Sequence, residues 1–92
     1  AFKKYEQYRK LENIVKRKIS EGDRLSEEEA QELVHLNPNF WEAWYLAGMI
    51  YFQLEDYKNA IIHFKQAEKR EVTTVPDSEQ LHKMIKKSYR KL

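Results

Sequence analysis

Cysteine is absent from this chain, glycine and proline occur twice each, and no apolar run approaches the thickness of a bilayer. The missing cysteine excludes a disulfide framework and thiolate chemistry, and fits a reducing compartment. So few glycines and prolines leave little turn chemistry for a loop-rich β protein, while Glu, Lys, Leu and Ala favour helix. The longest nearly apolar stretch, residues 43–52, is half of the roughly 20 residues a spanning helix requires. No secretory leader is visible at the start, so a cytoplasmic setting without membrane insertion is expected. The first residue is Ala, which suggests a piece excised from a longer protein.

What is present is a globular balance. Hydrophobic residues make up 41% and charged residues 35% of the chain, too apolar for disorder. Its 92 residues suit a single domain, 1–92, with one small core. The net charge of +2 hides segregation: residues 1–20 carry +5, 21–32 carry −5, 33–64 carry −2 and 65–92 carry +4.

Helix periods and end signals predict an all-α fold of about five helices. Phe2, Tyr5, Tyr8, Leu11, Val15 and Ile19 form one stripe at spacings of three or four. Gly22 is the expected left-handed stop. Ser26 with Glu29 reads as a capping box, with Leu25 stapling to Ala30, and Pro38 bars helix at Asn37. Asn39 is expected to cap a third helix ending near Gln53. Asp56 is expected to cap a fourth, carrying Ile61, Phe64 and Ala67 to about Arg70. Residues 71–77 read as a connector. Asp77 would cap a fifth helix whose apolar face holds Leu81, Met84, Ile85, Tyr89 and Leu92. Short links favour antiparallel neighbours: a hairpin over 2–37, a second over 39–71, and a last helix over 77–92.

In the second hairpin the order of sizes is informative. Trp44, Gly48, Tyr51, Tyr57, Ala60, Phe64 and Ala67 alternate rings with small residues, as two closely approaching helices require. With the turn at 54–57 and "LNPN" at 36–39, this pattern resembles the tetratricopeptide repeat, over residues 41–74. The resemblance implies stacked antiparallel hairpins in a short right-handed superhelix, with a degenerate hairpin before the repeat and a capping helix after it. Three departures stand out. Ala47 replaces a usual leucine, shifting core load to Trp41 or Leu46. Glu55 replaces the turn glycine. The closing proline expected near Val72 comes only at Pro76, so the fourth helix or its connector is about one turn longer.

Catalysis is not expected. His35, His63 and His82 lack zinc-binding spacing, and the acids Glu27, Glu28, Glu29 and Glu32 are explained by a helix first turn. No phosphate loop or activated nucleophile is visible, and no cofactor is implied. The resemblance implies instead a scaffold that binds a protein or peptide in a groove. Its groove-facing positions fall here on Glu42, Tyr45, Met49, Phe52 and Gln53. Homodimerisation through exposed Trp41, Tyr45 and Phe52 is the variant within this class, as part of a larger protein. Nucleic-acid binding by the basic ends is the disfavoured rival, because the acidic 21–32 segment repels phosphate.

Overall fold

The computed structural model describes the backbone of residues 2–70 and 75–92, and the side chains of residues 3–70 and 78–92. Among the described residues there are five α-helices and no strand: α1 (Phe2–Glu21), α2 (Glu27–Leu36), α3 (Trp41–Gln53), α4 (Tyr57–Lys69) and α5 (Val75–Lys91). The directions follow from which residues meet. Tyr45 lies against Phe64 and Phe52 against Tyr57, so α3 and α4 are antiparallel. Glu68 meets His82 and Lys65 meets Tyr89, so α5 reverses α4 and runs parallel to α3.

The local signals explain most helix ends. Gly22 has φ +73, and the Asp23 N–H closes back on the Lys18 carbonyl at 2.8 Å, ending α1. The capping box at α2 is complete: the Glu29 N–H donates to Ser26 Oγ, and the Ser26 N–H donates to the Glu29 carboxylate. Asp56 caps α4 by accepting from the Asn59 N–H. Glu55 carries φ +63, so the turn keeps its left-handed step although no glycine occupies it.

Two end signals are corrected. The N-cap of α3 is Phe40, not Asn39, and it makes no side-chain cap bond. Helix α5 opens at Val75 rather than after Asp77, so residues 75–77 are helical and not connector. Residues 71–74 of that expected connector lie outside the described residues. Because α4 ends at Lys69, Pro76 falls in the first turn of α5, where a missing N–H costs nothing.

The core centres on α3, which packs on α1, α2 and α4 and is apolar on nearly every side. Ala43, Leu46, Ala47, Ile50 and Tyr51 are buried there, against Ala60, Phe64 and Ala67 of α4. Leu46 takes up the load left by the alanine at 47, while Trp41 stays half-buried. Gly48 is the tightest point. A methyl group on it would lie 2.6 Å from two carbons of the Phe64 ring, so the glycine is a socket for that ring. Of the other rings, Tyr51 is buried, whereas Trp44 and Tyr57 are half-buried.

Two apolar stripes end earlier than expected. Tyr5 is exposed because α1 has 20 residues and α2 only 10, leaving the first turns of α1 beyond their hairpin partner. On α5 the buried face is Leu81, Met84 and Ser88, with Tyr89 and Leu92 exposed. Ser88 satisfies its hydroxyl on the Met84 carbonyl at 2.7 Å, so its burial leaves no orphan donor. Tyr89 lies outward, with the Lys65 ammonium 5.4 Å from its ring centre.

Candidate functional site

All five expected groove positions lie on α3, but the structure uses them differently. Tyr45, Met49 and Phe52 are half-buried, packed against the core with one side open. Tyr45 sits between Trp41 and Phe64, each ring centre 5.8 Å away. Phe52 lies edge-on to Tyr57 at 5.2 Å, and the Lys87 ammonium of α5 stands 6.0 Å from its ring centre. The expectation that Trp41, Tyr45 and Phe52 are exposed is therefore corrected: each is partly covered, Trp41 by Phe40 and Tyr45, Tyr45 by Phe64, and Phe52 by Tyr57.

Glu42 and Gln53, at the two ends of the strip, already have partners within the chain. Lys16 Nζ of α1 lies 3.2 Å from Glu42. Gln53 accepts from the Leu25 N–H and donates to the Asp23 carbonyl, both at 3.1 Å, tying α3 to the α1–α2 link.

Beside Glu42 is a buried polar cluster that periodicity alone does not reveal. Glu12, on the inner face of α1, is 2% exposed. It accepts the Tyr8 hydroxyl at 2.8 Å and an Arg9 N–H at 3.3 Å, and Lys16 lies 3.8 Å from it. Burial pushes the Glu42 carboxyl above its ordinary range. Lys16 pulls it down, and the neighbouring Glu12 carboxyl pushes it up again. Tyr8 is raised by burial and by Glu12, so its hydroxyl stays protonated as a donor. The first-turn acid Glu29 behaves oppositely. Burial raises it, but Lys18 at 2.9 Å and the Ser26 N–H outweigh that and hold it below the usual carboxylate range.

The far side of the repeat is built for cohesion. His63 is buried between Trp44 (5.6 Å) and Tyr51 (4.7 Å), with its Nδ1–H on the Asn59 carbonyl at 2.8 Å. Trp44 Nε1 and Arg70 Nε both donate to the Pro38 carbonyl at 2.7 Å, and the Arg70 guanidinium covers the Trp44 ring at 4.5 Å. The Tyr51 hydroxyl receives Gln31 and donates to Glu27. His82 is exposed and meets Glu68, and His35 is exposed. Among the described residues no cluster of His, Cys, Asp or Glu is arranged to hold a metal ion, and no helix is long and apolar enough to cross a membrane.

Packed helical hairpins that share the apolar helix α3, with a ring seated on a glycine, define an all-α fold of the helical-hairpin class. Within it, residues 42–71 match the family model of the tetratricopeptide repeat, so the second hairpin is one such repeat. No curated protein and no solved structure matches the chain. The repeat's family implies protein–protein interaction as the role.

Proposed function

We propose that the chain binds a peptide or helical segment of another protein along α3, without catalysis, through Tyr45, Met49 and Phe52. Glu42 and Gln53 bound the strip and set the positions of its neighbours. The observation that supports this is the half-open apolar strip on the helix that is otherwise the most enclosed of the five. Side chains of this size left partly wet on a central helix gain from a partner that completes their burial, by roughly 25 cal/mol for each Å² covered.

The test is capture of partners by the wild type and by the Tyr45→Ala/Met49→Ala variant, with circular dichroism to verify that both are helical. The variant should lose partners that the wild type retains. Identical partner sets from two folded proteins would refute the reading. A homodimer through Trp41, Tyr45 and Phe52 would reuse the same strip. Sedimentation over a concentration series separates the two: a monomer throughout leaves the strip to a different protein.

A further inference from the structure

We propose that the segment bound along α3 is an acidic amphipathic one, whose carboxylates are received by Lys83, Lys87 and Arg90 of α5. This rests on the strip being a binding surface and names the chemistry of what it takes.

Three observations carry it. First, α5 concentrates cations on its solvent side: Lys83, Lys86, Lys87, Arg90 and Lys91 are all exposed. None of them pairs with a carboxylate among the described residues, since the ion pairs found there involve Arg9, Lys16, Lys18 and His82. Second, Gln80, Lys83, Met84, Lys87 and Arg90 border a shallow depression of about 280 Å³, where Met84 provides an apolar floor between charged walls. Third, this row adjoins the α3 strip. Lys87 stands over Phe52, and α5 runs parallel to α3.

An apolar row and a cationic row therefore meet where Lys87 stands over Phe52. A helix with leucine-type residues on one face and Glu or Asp at the edge of that face, repeating every three or four residues, would match both at once. Nucleic acid fits less well. The Lys87 ammonium already stands over the Phe52 ring, 6.0 Å from its centre, where a base would otherwise stack. The acidic first turn of α2 adds repulsion for a polyanion.

The experiment uses the full chain and three fluorescent probes. One is a helical peptide alternating Leu and Glu at these spacings, one is its Gln-for-Glu counterpart, and one is a single-stranded oligonucleotide of similar length. The acidic peptide should bind best, and should lose about tenfold in affinity in the Lys83→Gln/Lys87→Gln/Arg90→Gln variant or at high salt. Those three positions are exposed, so the variant should keep its helicity. Equal binding of both peptides, lost in Tyr45→Ala/Met49→Ala but not in the charge variant, would overturn this proposal and leave the groove standing. No binding of either peptide, or tighter binding of the oligonucleotide, would also overturn it.

Discussion

The two hairpins are joined by different physics. In α3–α4 the contact is apolar and interdigitated: a ring sits against a glycine, small residues line both helices, and His63 is enclosed by two rings. Around α1–α2 an apolar core of Val15, Leu25, Ala30 and Leu33 is supplemented by polar bonds within α1, between α1 and α2, and to α3. Tyr8 bonds Glu12, Lys18 bonds Glu29, Lys16 reaches Glu42, and Gln53 closes the α1–α2 link. Close packing needs a repeated pattern of sizes. Polar joints need only one correct partner each, which is why the second hairpin reads as a repeat and the first does not.

The comparison breaks most severely at Gly48. Leucine there would overpack the Phe64 socket, at a cost of about 3 kcal/mol or more, a large share of what a domain this small possesses. Chemical denaturation of Gly48→Leu measures it. A sharper version is Gly48→Ala made alone and with Phe64→Leu. If the ring is the obstacle, alanine should cost clearly less in the double variant. Additive costs would show that something other than Phe64 makes the glycine necessary.

On the polar side, Glu12→Ala leaves the buried Tyr8 hydroxyl without its acceptor, and should cost about 2 kcal/mol. Glu12→Gln keeps an acceptor oxygen and should recover much of that loss. An equal loss in both variants would mean that the negative charge, rather than the hydrogen bond, holds α1 in place.

Between the two kinds of joint lies the α3–α4 turn. Glu55 occupies a left-handed step without the freedom of glycine, so Glu55→Gly should stabilise by about 1 kcal/mol or slightly less. A loss of stability there would show that the glutamate contributes a contact outweighing its backbone cost.

How much of this could be read in advance follows the same division. The repeat was legible in Trp44, Gly48, Tyr51, Ala60 and Phe64, because ring and socket alternate at fixed spacing. Gly22, Ser26 with Glu29, and Asp56 marked helix ends because each performs a local task within a few residues. Glu12 was not legible: a carboxylate on a helix is ordinarily solvent-facing, and its burial depends on a tyrosine one turn away and on Glu42 and Lys16. The partners of Gln53 and the Arg70 donor on the Pro38 carbonyl are likewise long-range, at separations of 28 to 32 residues, and nothing local announces them. Helical spacing placed Tyr45, Met49 and Phe52 together, but not the closing of its two ends by Lys16 and the α1–α2 link.

The smallest effect concerns two glutamates bonded by the same basic helix. Glu29 is held below its ordinary pKa and Glu42 above it, so their linkage to folding has opposite sign. The stability that Glu29 contributes is present above its unfolded pKa and fades as pH falls through the folded value. Glu42 does the reverse: the fold favours its protonated form, so its contribution grows as pH falls below the folded value and disappears as pH rises through it. Glu29→Gln keeps the capping geometry but not the charge attracting Lys18, and should lose about 0.5 kcal/mol near neutral pH, vanishing in acid. Glu42→Gln should equal or slightly exceed wild type near neutral pH, because the burial cost and the repulsion from Glu12 outweigh the pull of Lys16. Its margin should likewise close on acidification. Denaturation midpoints at neutral and mildly acidic pH decide the matter. If both substitutions lose stability alike at neutral pH, the Lys16 bridge outweighs the cost of burying Glu42, and the two joints of α1 are of one kind.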